Sequence, residues 1–327
     1  MKKKVAILLS IFMIFMIFSG CRSNNSSNSN DKKVKVLFSM SDNSDAFRHI
    51  LTEEAKSYAQ SKNIELVIKD AEGSVEKQVE HMKEAVSDGY NAIICGIVNP
   101  DTALQLKKSA GELPIIFINS APNDDLLEVN KYIFVASNEM VAGRFQAETV
   151  IESLKNKSEA KIVLFRGEEG HSATIGRTKA VKQTFKEKGV NAKFVFEDSA
   201  NWSRKGAKEM FNVFLSTHKE FDAVICNNDE MALGVIDSLK ENKIDPASVP
   251  VLGIDATPDA CNAVLDGNMR LTVYQSAKGQ SKSSVDVAIQ LASGGCLDNI
   301  ENLAEDKMHI WVPFEKVDKN NVKQYIK

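Results

Sequence analysis

From Val34 onward the chain alternates short runs of β-branched and apolar residues with longer amphipathic segments, almost to its end. Strands separated by helical stretches return to the same sheet in parallel, because each helix is a crossover rather than a hairpin. The first series predicts strands at 34–40, 64–69, 92–96, 114–118 and 132–135, with helices at 46–62, 74–88 and 102–110. A second series opens with helix 139–154, strand 161–166, helix 173–188, strand 192–197 and helix 204–216. It continues with strand 223–226, helix 230–241, strand 249–254, helix 259–265 and strand 271–274. Helix 277–292 and a short strand at 310–313 close the pattern. Two such series in tandem predict an α/β protein of two doubly wound parallel-sheet lobes; a single (β/α)8 barrel is the competing arrangement. The chain has 327 residues, and the part after the first 33 is long enough for two cores of roughly 100–150 residues each.

The N-terminus follows a different logic. Lys2, Lys3 and Lys4 precede an apolar run over 5–18 broken only by Ser10. A membrane-spanning helix needs about 20 apolar residues, so the run is short for a span and reads as a signal-peptide core. Ser19 and Gly20 then lead directly into Cys21, an arrangement similar to a bacterial lipobox with Phe18 in place of the usual leucine. The expectation is a signal peptide over 1–20, lipid on Cys21, and a flexible Ser-Asn tether over 21–33. The alternative is a secretory signal with an incidental cysteine. The first reading implies a protein anchored to the extracytoplasmic face of the cell membrane.

Composition excludes several partners. The formal net charge is −3 with 26% charged residues, and the lysines of the signal have no acidic counterparts, so the body is more acidic still. No basic stretch follows it, and nucleic-acid binding has no electrostatic support. Cys95 and Cys226 sit in apolar strand candidates, where cysteine serves as a small hydrophobe. Cys261 and Cys296 are far apart in sequence, and although a disulfide between them is conceivable in an exported protein, free thiols are expected. Neither a CxxC nor a clustered Cys/His spacing is present, and the five histidines are scattered; no metal and no cofactor are predicted. HExxH, GxSxG and GxxxxGK[ST] are absent, and Gly167-Glu168-Glu169-Gly170 lacks the lysine and hydroxyl of a phosphate loop. Glu168 and Glu169 read as exposed loop acids rather than an acid–base pair. An enzyme is not expected.

In open α/β sheets ligands bind beyond the carboxyl ends of the strands, and those ends are polar here. Asn119, the segment 167–171 with His171, the triplet Asn227-Asn228-Asp229, Asp255 and Gln275 each follow a strand candidate. A single such residue would be a helix cap, as Asp229 is expected to be. Five in succession point to a cleft. Acceptors such as Asp beside donors such as Arg and Asn suit hydroxyl groups, which both donate and accept. Trp202 lies in the polar stretch 198–203 and suits the apolar face of a ring.

The segments 164–171 with Arg177 and Thr178, 198–202, 225–234 and 253–258 together resemble the galactose/glucose-binding proteins of bacterial sugar ABC transporters, and the likeness runs from about Val34 to Val317. The resemblance implies a type 1 periplasmic binding protein fold. Its N-terminal lobe would comprise 34–137 plus 276–309 and its C-terminal lobe 138–275 plus 310–327, joined by a three-segment hinge that closes on one monosaccharide. It also implies site residues. Asp45 and Phe47 match the family's Asp-x-Phe, with Phe47 on one sugar face and Trp202 on the other. Asn119, His171, Arg177, Asn228 and Asp255 match its polar contacts, and Gln275 stands where the galactose binders have asparagine. Ala173 replaces a family carboxylate, so Arg177 must find compensation in Asp255, in water, or in Glu168 or Glu169. The calcium loop of some members is missing around 156–159. The implied function is a monomeric, lipid-anchored protein that captures a galactose- or glucose-like hexose, or a pentose such as xylose, and delivers it to an ABC permease. A co-receptor for a sensor histidine kinase is the alternative.

Overall fold

A computed structural model describes residues 33–155 and 157–326. Cys21, the signal 1–20 and all but the last residue of the tether lie outside these. Among the described residues no helix is long and apolar enough to cross a membrane.

The first lobe is built from β1 (Lys35–Met40), α1 (Ala46–Ser61), β2 (Glu65–Asp70), α2 (Val75–Ser87), β3 (Ala92–Cys95), α3 (Ala103–Ser109), β4 (Ile115–Ile118) and β5 (Tyr132–Ala136). The chain then crosses to the second lobe, with α4 (Glu139–Ser153), β6 (Glu159–Arg166), α5 (Ser172–Glu187), β7 (Asn191–Ser199) and α6 (Arg204–Ser216). That lobe continues through β8 (Ala223–Cys226), α7 (Asp229–Glu241), β9 (Val251–Leu252), α8 (Pro258–Leu265) and β10 (Thr272–Gln275). A return crossing leads to α9 (Ala277–Ala292) and β11 (His309–Trp311), and a third to β12 (Phe314–Val317).

The first sheet has the order β11-β5-β4-β3-β1-β2, with every pairing parallel. The second has the order β7-β6-β8-β9, and two isolated parallel bridges at the strand ends, Leu252–Leu271 and Asp255–Tyr274, bring β10 alongside β9. β12 then adds antiparallel to β10. Both lobes therefore share one doubly wound topology, as the tandem sequence pattern predicts. The central strands Ala92–Cys95, Ile115–Ile118 and Ala223–Cys226 are buried throughout, as expected of strands covered by helices on both faces. Two apolar layers flank each sheet. In the second lobe, stacked Phe211 and Phe214, with centroids 5.8 Å apart, anchor the layer under α6.

Two features depart from the sequence reading. β11 pairs with β5 through Trp311 opposite Ala136, and the Val312 amide still donates to the Ala136 carbonyl. The last crossing thus falls past Trp311, and the boundary drawn at 309/310 is too early by two residues. β12 was not foreseen, because Phe-Glu-Lys-Val buries only its two ends and carries no strand-like run of its own.

Candidate ligand-binding site

The nine residues singled out from sequence, Asp45, Phe47, Asn119, His171, Arg177, Trp202, Asn228, Asp255 and Gln275, all line one cavity between the lobes. Arg48 and Ala173 complete its wall.

Three of the nine are helix N-caps. Asp45 Oδ1 accepts from the Arg48 amide at 2.9 Å at the start of α1. His171 Nδ1 accepts from the Ala173 amide at 3.1 Å on α5, and Asn228 Oδ1 accepts from the Met231 amide at 3.0 Å on α7. Capping fixes each rotamer and aims the helix N-termini at the cavity. Asp229, expected as the cap of α7, is instead wholly buried. Its carboxylate accepts from the Thr257 amide at 2.8 Å and the Thr272 hydroxyl at 2.7 Å, tying down the loop that carries Asp255. Burial pushes its pKa up to about 6 against those hydrogen bonds.

Capping also settles proton positions. Because His171 Nδ1 is an acceptor, the neutral ring carries its proton on Nε2, 3.4 Å from Asn119 Oδ1. Burial, aided by Arg48 and Arg177, holds the His171 pKa well below its usual value. Asn119 Oδ1 receives Arg48 Nε as well, at 3.3 Å. Two donors on one oxygen orient this amide and leave its NH2 for a ligand.

Three site residues sit at positive φ, Asn119 at 69°, Trp202 at 63° and Asp255 at 127°. For tryptophan and aspartate this is unusual backbone, held by the surroundings. Trp202 follows Asn201, also at positive φ (52°), and Asn228 Nδ2 donates to the Trp202 carbonyl at 3.3 Å. The indole meets His171 edge to face, with centroids 5.3 Å apart, and covers Gly167, where any Cβ would clash with the indole ring carbons. Trp202 Nε1 and Gln275 Nε2 are buried donors with no partner among the described residues.

Arg177 is the most constrained member. Its Nη1 donates to the Asn227 carbonyl at 2.6 Å and its Nη2 to Gln275 Oε1 at 2.9 Å. Asp255 Oδ1 stands 3.9 Å from Nη1. The close counter-charge is Glu139 at the start of α4, 2.6 Å from Nε. Of the compensations expected for Ala173, Asp255 contributes at longer range, whereas Glu168 pairs with Arg48 at 3.0 Å and Glu169 with Arg166 at 3.1 Å. Burial opposes the charge on Arg177, but Glu139 and Asp255 outweigh it and raise its pKa. Asp255 itself is pushed well up by burial, with Arg177 pulling the other way.

Sequence reasoning missed Arg48, Glu139 and Gly167. Arg48 adjoins Phe47 in the capped turn, and that adjacency was a usable signal. Glu139 lies 38 residues from Arg177 and had none.

Residues 36–296 match the family described as periplasmic binding protein domain. A putative rhizopine-binding protein of Rhizobium meliloti is 35% identical over 288 residues, covering 86% of this chain and 89% of the relative. The D-galactose/methyl-galactoside binding periplasmic protein of Haemophilus influenzae is 26% identical, covering 99% of this chain and 100% of the relative. Among solved structures, an ABC transporter solute binding protein from Bacillus halodurans with bound myo-inositol is 32% identical. It superposes with a TM-score of 0.78 over 91% of this chain and 99% of the other.

Proposed function

The chain belongs to the periplasmic binding protein domain family and is a sugar-binding, extracytoplasmic protein of the ABC-transporter type; on that premise we propose that its ligand is a neutral cyclic polyol of monosaccharide size. Within this class a cyclitol such as myo-inositol is preferred to a hexose such as glucose or galactose or to a pentose such as xylose. The observation that carries this reading is the pairing of charges around the cavity. Arg177 is neutralised by Glu139 and Arg48 by Glu168, while Asp45 and Asp255 add two more carboxylates to the wall. Carboxylate excess repels phosphates and carboxylates, whereas hydroxyls can satisfy every remaining acceptor and donor. Phe47 and Trp202 would cover the apolar faces of the ring.

The preference for a cyclitol rests on Ala173. A side chain of one methyl cannot accept from an anomeric hydroxyl, so nothing at this wall rewards a reducing sugar. One solved structure above 30% identity, which holds myo-inositol, supports the same direction. We further propose that lipid on Cys21 holds the protein at the membrane as a monomer, where it hands its ligand to an ABC permease.

The test is thermal unfolding with neutral polyols and their phosphorylated counterparts. A ligand at one hundred times Kd adds about 2.7 kcal/mol to the native state. A melting shift with at least one neutral polyol and none with its phosphate is the expected result. A shift with the phosphate alone would overturn the proposal.

A further inference from the structure

The one ion pair that joins the two lobes among the described residues is Arg48–Glu168. Arg48 lies in the first turn of α1, and its side chain is buried, whereas Glu168, in the loop after β6, keeps 42% of its side chain exposed. The guanidinium divides its donors. Nε reaches Asn119 Oδ1 within its own lobe at 3.3 Å, and Nη2 reaches Glu168 Oε2 across the cleft at 3.0 Å. Nη1 has no hydrogen-bond partner among the described residues, and Arg48 lines the cavity.

We propose that Arg48 is a ligand-contacting residue and that its pairing with Glu168 makes ligand release depend on breaking an interlobe ion pair. This rests on the polyol reading above for the nature of the ligand. The fork geometry of guanidinium allows both roles at once, since two edges engage protein and a third faces the cavity. A hydroxyl placed against Nη1 accepts from a group whose position Glu168 has fixed. Opening the lobes must separate Arg48 from Glu168, because the two residues belong to different lobes. Glu168 does not line the cavity, so it acts on the ligand only through Arg48 and is a positioning residue. Its exposure places the pair within reach of salt.

The experiment compares wild type, Glu168→Gln and Arg48→Lys by stopped-flow tryptophan fluorescence with myo-inositol at about 20 mM and about 500 mM salt, which bracket a long and a short Debye length. Glu168→Gln is expected to release ligand about tenfold faster than wild type at low salt. Wild-type release should quicken with salt, while the variant's should not respond. Arg48→Lys should weaken binding at both salts, because a point charge cannot serve three directions. Equal release rates in wild type and Glu168→Gln would overturn the inference. Ligand-free protein gives a second readout by small-angle scattering, which remains informative if no polyol binds and the functional reading fails. There, Glu168→Gln should raise the mean radius of gyration at low salt, and an unchanged radius counts against the latch.

Discussion

Glu139 and Arg177 form a buried ion pair with Oε2 2.6 Å from Nε, their side chains 11% and 4% exposed. Gly176 permits the approach, since a Cβ there would come within 2.6 Å of Glu139 Cβ. The pair places the counter-charge behind the guanidinium rather than on the cavity wall, where Ala173 leaves only a methyl. A carboxylate is thereby moved from the ligand's side of the arginine to the protein's side.

Glu139→Gln therefore probes the arrangement. Removing one partner of a buried pair costs roughly 3–5 kcal/mol, and the amide retains one hydrogen bond, so a loss near the lower end is expected. Chemical denaturation should show it as a fall in midpoint, with ligand affinity reduced at least tenfold. Unchanged stability would mean that Asp255 alone neutralises Arg177.

Gly167→Ala should abolish binding without removing any polar contact. The added methyl occupies the position of the indole, so Trp202 must leave its place over the cavity. Ligand-induced change in tryptophan fluorescence is the readout. Binding at the wild-type level would show that the indole is not a wall of the site.

Ala173→Asp restores an acceptor beside the cavity. If a hydroxyl there gains a charge-assisted hydrogen bond of roughly 1.5–3 kcal/mol, affinity for glucose should rise about ten- to a hundredfold, with little gain for myo-inositol. Calorimetry of both proteins with both ligands decides this. Identical rankings would show that position 173 does not set selectivity.

The pH dependence of stability follows from His171, whose pKa is depressed in the fold by burial, with help from Arg48 and Arg177. A histidine kept neutral in the native state contributes stability above its unfolded pKa of about 6.5 and loses it as pH falls, because only the unfolded chain takes up the proton. The loss should therefore set in as pH drops through about 6.5. Asp229 and Asp255 act in the opposite sense, since their raised pKa values favour the native state as pH falls toward the usual carboxylate range. His171→Asn, which can still cap α5, should shrink the loss on acidification and leave the part due to His81, whose pKa burial also lowers. A wild-type slope retained in that variant would assign the effect elsewhere.

Part of the site was legible in the polar strand ends and in the polar surroundings of Trp202, whereas Asp45, Phe47 and Arg177 came only from the family resemblance. Asp45, His171 and Asn228 precede helices as caps, and Asn119, Asp255 and Gln275 end strands. What sequence spacing could not convey is partnership across the fold. Asn228 reads as a ligand contact, yet its oxygen serves the α7 cap and one of its amide hydrogens the Trp202 carbonyl. Asp229 reads as a cap, yet it holds the loop before α8. Glu139 opens α4, where an acid is ordinary at a helix N-terminus, and only the packing of α4 on α5 brings it to Arg177. The β12 strand was hidden for the same reason, since its pairing with β10 exists only after the third crossing.

Cys21 lies outside the described residues, and its role is checked by fractionation. Cys21→Ser should move the protein from the membrane fraction to the medium, because a lipoprotein's two or more acyl chains anchor stably where a bare chain does not. Retention in the membrane at the wild-type level would refute the anchor.

The account stands most directly on calorimetric titration of the wild-type protein with myo-inositol, glucose, galactose and xylose. It predicts one site per chain, myo-inositol bound most tightly, and the heat lost in Arg177→Ala. Absence of heat from all four, in a protein shown to be folded, would contradict it.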